Sequence, residues 1–501
     1  MTADKRPRAT VTTVRLLLLC ILAFAAATAV TYGVFQAVPH LEDEHANLFQ
    51  AKVFASGRFW APSPSQPGAF FVPFVLDWEG RRFSKYPPGY SLVLALGVLA
   101  GRPWLVNPLL GALALVATFA LGREIYGFSA RREPEIEQTA LLAAILGVTS
   151  PMFLGLSSAL LSHALSLLLV TIFAWAYLRS TLHPPHSALY ALLAGIALGC
   201  AALTRPLTAL AYAAPFGLWG AWQLARRRVC LRPLVVTAVA AGAIAALWLV
   251  YQRILTGAWA VNLYAVWWGY DRIGFGPGHG TSPEGHSIAS AIHNVALDFS
   301  SLLTDLHGWP SLSWILIVPG LLLAPRDRRD LALLAPLAAL VIAHSLYWVS
   351  GSAIYGPRYW YEASPFLWLL SARGLVKLWE WARGRGLSRS LIKVGLAVLI
   401  ALNVLTTMPA RFAFWRGLYF VTDGPWRATQ QANLHNALVI VRGKLWTDYG
   451  AVLWANSPTL DDDIVFARDQ GEAVNAAVIA QYPGRRVYWL DGTRLSLMRK
   501  E

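Results

Sequence analysis

The sequence predicts an all-α polytopic membrane protein with a small α/β domain at its C-terminal end. Three observations lead there. Of 501 residues, 56% are hydrophobic and only 14% are charged, against about 25% charged in soluble domains. Mean hydropathy is +0.47. Apolar stretches of membrane-spanning length recur along the chain. The basic residues gather in short clusters between those stretches, at 5–15, 226–228, 326–329 and 377–393. Such clusters mark cytoplasmic loops. They assign the net charge of +15 to membrane topology and exclude nucleic acid as a partner. Cys20, Cys200 and Cys230 lie in or beside apolar segments and form no metal or disulfide spacing.

The first span is 15–38, with basic residues before it. It runs past Ala25-Ala26-Ala27 and is too long for a cleaved signal peptide, so it reads as an anchor. The N-terminus is then cytoplasmic and the loop 39–88 lies outside. Residues 89–121 are apolar but broken at Arg102-Pro103. The charge rule favours one span preceded by a short interfacial helix. Further spans fall at 140–156, 159–178, 188–203, 207–224 and 234–251.

A second outer loop covers 252–309. Its glycine-rich stretch 274–280 lacks the strand–helix context of a nucleotide fingerprint. Residues 287–306 have helical periodicity suited to the interface. Spans at 312–323, 331–349, 356–376 and 391–409 bring the number to about eleven. Residues 1–410 thus form the membrane domain. Residues 411–501 form an extracytoplasmic α/β domain, with strands at 437–441, 464–467 and 486–490.

The chemistry-bearing residues gather on the outer side. Glu42, Asp43 and Glu44 precede a helical run at 46–55, and Asp43 and Asn47 share a face. A helix dipole favours such carboxylates structurally, and it also keeps Asp43 ionised, as a general base requires. Lys85 precedes Pro87-Pro88, where a helix begins. A cation there opposes the dipole and, with the free amides, makes an anion site; snorkelling to bulk lipid phosphate is the alternative. Arg358 stands in the same way at a helix start, where an ion pair with Glu362 competes. Arg205 falls at an outer hairpin. His163 lies near another outer turn.

The acids after the first span, the Lys85-Tyr86-Pro87-Pro88-Gly89-Tyr90 turn and the late Gly356-Pro357-Arg358-Tyr359 turn together resemble the GT-C membrane glycosyltransferases. The similar group includes protein O-mannosyltransferases and lipid A aminoarabinose transferases. The resemblance covers roughly the first 410 residues. It implies an inverting transfer of a sugar from a polyprenyl-phosphate donor to a glycan, lipid or protein acceptor. It gives Asp43 the base role, with Glu44 beside it, and gives Lys85, Arg358 and Arg205 the donor phosphate. Tyr86, Tyr90, Tyr359, His163 and His279 would line the substrate. No cofactor is assigned. Asp271, His279 and His286 are metal candidates by residue type, but their spacing matches no ligand signature. Ser84 stands where the aminoarabinose transferases place a glutamate that helps bind a metal. A flippase, or a non-catalytic binder of lipid-linked sugars, is the rival reading. The expected location is a bacterial inner membrane.

Overall fold

The computed structural model describes residues 6–127, 133–183, 187–323, 328–352, 354–386 and 388–498. Basic residues 5 and 326, from the clusters expected to mark cytoplasmic loops, lie outside the described residues. Five helices are long and apolar enough to cross a membrane: Val11–Gly33, Pro103–Gly127, His163–Leu182, Leu231–Thr256 and Ser390–Phe420. The chain is an integral membrane protein.

The expected eleven spans do not all form single long helices, and the interruptions have local causes. The stretch 140–156 splits after Val148. Pro151 cannot donate to the preceding turn, and Ser150 Oγ accepts the Phe153 amide at 3.3 Å to cap a new helix, Pro151–Leu156. In 312–323 only Ile317–Leu322 is regular helix. Upstream, Ser313 folds back on the preceding helix, its hydroxyl donating to Thr304 O at 2.9 Å. The stretch 331–349 holds one regular helix of ten residues, Ala335–His344. The last span loosens into a wider turn at Asn403–Thr407. There Pro409 lacks an N–H and its ring would strike the carbonyl four residues back.

Helix Ser364–Gly384 runs through the apolar core, with Trp368 edge-on to Phe153 at 5.9 Å. Its Gly374 permits a close crossing, since a Cβ there would lie 1.7 Å from Leu316 O.

The loop after the first span is more structured than its sequence suggested. Helix Glu42–Ala55 starts at the acids themselves. A three-stranded antiparallel sheet follows, with Arg81–Ser84 between Ala61–Pro62 and Val75–Trp78. Its two-residue turn, Glu79-Gly80, has both φ positive, at 48° and 78°, as a tight hairpin requires. Pro88–Leu99 then begins with its proline in the first turn.

The C-terminal segment carries a four-stranded sheet. Ala437–Val441 lies between Ile464–Arg468 and Arg486–Asp491, parallel to both, and Arg494–Leu497 closes the edge antiparallel. Helices Trp446–Leu453 and Glu472–Gln481 make the crossovers. The short helical turn Pro67–Phe70 of the first loop reaches this sheet. Ala69 and Phe70 are buried with Leu438, Ile440 and Val465. From the other side, Lys52 Nζ donates to the carbonyls of Trp454, Ala455 and Asn456 at 2.7–3.0 Å.

Candidate active site

A cavity of about 800 Å³ opens between helix Glu42–Ala55, the Lys85–Tyr90 turn and the late Arg358–Tyr359 turn. Each side chain arrives there for a local reason. Asp43 and Asn47 are one helical turn apart, and both face the cavity. Lys85 ends the hairpin, its amide donating to Phe74 O at 3.0 Å. Arg205 is the residue before Pro206, at the start of helix Pro206–Ala225. Arg358 opens a short tight helical turn, Arg358–Ala363, after Gly356 with φ at +80°.

The Tyr86 hydroxyl donates to Asp43 Oδ1 in a short hydrogen bond. Next to Asp43, burial lifts the Glu42 carboxyl to about 7. The Asp43 charge adds to the rise, and Lys85 and Arg358 oppose it.

Lys85 is 3% exposed and does not snorkel. Its Nζ donates to Asp271 Oδ2 at 3.3 Å. Four rings surround it: Phe74 centred 3.7 Å away, Tyr264 and Trp268 at 5.0 Å, and Tyr86 at 5.4 Å. Burial lowers the Lys85 pKa, and the Asp271 charge opposes that shift. Asp271 is itself held by the Tyr347 hydroxyl at 2.6 Å and the Trp348 indole N–H at 3.3 Å.

The pairing expected between Arg358 and Glu362 does not form. Glu362 Oε1 instead lies 3.3 Å from Arg205 Nε and 3.8 Å from His163 Nδ1. Arg205 Nη1 donates to His163 Nε2 at 3.2 Å. The Tyr359 ring lies 5.7 Å from the Arg205 guanidinium and 5.3 Å from that of Arg358. On Tyr359 stacks His344, at 5.2 Å and 6°.

Solved structures share this architecture. ArnT from Cupriavidus metallidurans bound to undecaprenyl phosphate matches with a TM-score of 0.54 at 15% identity, over 94% of this chain and 92% of that one. Its apo state gives 0.55 at 14% identity, over 97% and 93%. The chain has the GT-C fold. The oligosaccharyltransferase of Archaeoglobus fulgidus, tethered with an acceptor peptide, gives 0.50 at 14% identity, over 88% of this chain and 63% of that one. At these identities the likeness concerns the fold. No family model and no curated protein matches the chain.

Within this GT-C fold, Asp43, Lys85, Tyr86, Tyr90, His163, Arg205, Asp271, His279, Arg358 and Tyr359 share the one cavity. Two expected residues do not line it. Glu44 faces into the protein, where its Oε1 accepts the amides of His40 and Leu41 at 3.2 Å and its Oε2 that of Leu160 at 2.8 Å. That is the work of a helix cap. His286 Nε2 donates to Ser345 O at 2.9 Å, and its ring stacks on Phe275. With His286 turned away and Asp271 held by Lys85, the metal candidates do not make a donor set. Among the described residues no three histidines, cysteines or acids gather as one.

Several cavity residues carried no assignment from the sequence: Glu42, Tyr264, Trp268, His344 and Tyr347. For Tyr264 and Trp268 the aromatic density at 264–270 is a signal, and for Glu42 its place beside Asp43; His344 and Tyr347 have none. From the sequence, Glu362 reads only as a partner for Arg358.

Proposed function

We propose that the chain is an inverting glycosyltransferase that moves a sugar from a polyprenyl-phosphate donor to an acceptor at the outer face of the membrane. One observation carries the reading: Asp43 shares a single cavity with Lys85, Arg205 and Arg358, within a GT-C fold. In the reaction, the acceptor oxygen attacks the anomeric carbon from the face opposite the phosphate. Its bond to carbon forms as the carbon–oxygen bond to the lipid phosphate breaks. The acceptor proton passes to Asp43. The phosphate, singly charged in the diester, leaves with a second negative charge. Cations fixed at that position stabilise it as the charge develops. Lys85 shares its charge with Asp271 and Arg205 with Glu362, so the largest part falls to Arg358.

The reading carries its topology with it: N-terminus cytoplasmic, residues 411–501 an extracytoplasmic α/β domain that helps choose the acceptor, and a bacterial inner membrane as location. The sugar and acceptor are read from cells. Mass spectrometry of cell-envelope glycans, with and without the protein, should show one glycosylated species lost. The wild-type chain should restore it. Asp43→Asn should not, with turnover down at least about 100-fold, though the variant accumulates normally and still binds undecaprenyl phosphate. Full restoration by Asp43→Asn would remove the base from this scheme. Binding without any change in glycans would make the chain a lipid-sugar binder.

A further inference from the structure

We infer that Glu362 is a positioning residue, holding the Arg205 guanidinium toward the cavity for the phosphate of a polyprenyl lipid. The inference rests on the transferase reading above and deepens it. Glu362 is fully buried, on the same short turn as Arg358 and Tyr359. The Ser166 hydroxyl is beside it, yet among the described residues neither carboxylate oxygen makes a hydrogen bond of normal geometry. A buried carboxylate so placed is costly unless a cation answers it. Arg205 is the nearest one, with Nε at 3.3 Å.

Arg205 is unfavourable where it stands, too. It heads helix Pro206–Ala225, where the dipole repels a cation. Two unfavourable placements are mutually offset. That arrangement suits a guanidinium that must be in place before its ligand arrives.

The remaining contacts fix direction. Nη1 is tied to His163 Nε2 at 3.2 Å and Nε to Thr208 Oγ1 at 3.3 Å. Tyr359 covers one side. Nη2 has no hydrogen bond to protein among the described residues, and Arg205 lines the cavity. Arg358 differs, as it has no carboxylate within 4.0 Å among the described residues. Arg205 therefore has a carboxylate anchor that Arg358, held against Tyr359, lacks. A donor held without reorganisation gives most where charge develops, on the departing phosphate.

The test is a double-mutant cycle on the full chain in detergent, with undecaprenyl phosphate as the probe. Glu362→Gln and Arg205→Lys should each weaken binding about tenfold. The double variant should lose no more than the weaker-binding single. Glu362→Asp, which keeps the charge with a shorter reach, should fall between wild type and Glu362→Gln. A purely structural role would lower the unfolding midpoint and give losses that multiply. Multiplying losses, or unchanged affinity in Glu362→Gln, overturn the inference while leaving the transferase reading intact. If Glu362→Gln does not fold, the cycle is run with Glu362→Asp, under the same criteria. A wild-type chain that fails to bind undecaprenyl phosphate overturns both readings.

Discussion

Lys377 and Glu362 lie fifteen residues apart, near opposite ends of helix Ser364–Gly384, and their surroundings differ in kind. At the far end, Lys377 Nζ is 2.8 Å from Asp330 and donates also to Gly320 O at 2.9 Å, and Arg373 adds a second cation at 3.9 Å. At the near end, roughly 20 Å away, the pairs are looser. Lys85 and Asp271 stand at 3.3 Å, Arg205 and Glu362 at 3.3 Å with both carboxylate oxygens unbonded. Arg358 has no carboxylate partner among the described residues. A cluster that only holds helices together can give each cation a carboxylate, as Asp330 does here through Oδ2, with its Oδ1 left unbonded. One that must receive a charged ligand has to leave capacity free, and it gives up stability to do so.

Mutations at the two ends should therefore separate stability from activity. Asp330→Ala would leave two buried cations without their carboxylate. It should cost about 3–5 kcal/mol, read as a lower unfolding midpoint, with turnover per folded molecule unchanged. Lost turnover at normal stability would break the comparison. Arg358→Lys keeps the charge but loses the forked donor geometry. It should cut turnover about tenfold, as expected for one lost charge-assisted hydrogen bond of roughly 1.5–3 kcal/mol, and leave the unfolding midpoint in place.

The smallest effect concerns pH. Burial beside Asp43 raises the Glu42 carboxyl from 4.5 to about 7. The folded chain then keeps a proton that the unfolded chain has already released. Its stability falls as pH rises from about 4.5 through about 7, and levels off above. Glu42→Gln should reduce that slope in unfolding midpoints measured across the range. Burial raises Glu44 to about 7 as well, against its backbone hydrogen bonds, so part of the slope stays.

What the sequence made legible followed local rules. The Pro87-Pro88 turn starts a helix because proline fits there. The three C-terminal strands lie where alternation and β-branched residues put them. Asp43, Lys85, Arg205 and Arg358 were readable as a group because the charge rule expects each at a turn on the same side of the membrane, and the four do line one cavity. Partners across long separations were not readable. Asp271 lies 186 residues from Lys85, and Glu362 lies 157 from Arg205. No periodicity encodes such pairs. Nor did the acidic triplet say which member faces the cavity. Successive helical residues point about 100° apart, so the orientation of helix Glu42–Ala55 decides it. The amides of Leu160 and His40, which donate to the Glu44 carboxylate, fix that orientation. The hairpin sheet of the first loop escaped because its strands are only two to four residues long.

The packing of Pro67–Phe70 against the C-terminal sheet has a consequence for engineering. The Phe70 carbonyl is tied by Arg82, a residue of the hairpin that leads into Lys85. Residues 411–501 are therefore not an exchangeable cassette. A chimera that takes its tail from a relative must take that relative's equivalent of 67–71 with it. Otherwise the sheet face that replaces Leu438, Ile440 and Val465 meets Ala69 and Phe70 without a matched shape, and the mismatch reaches the hairpin leading into Lys85 through Arg82.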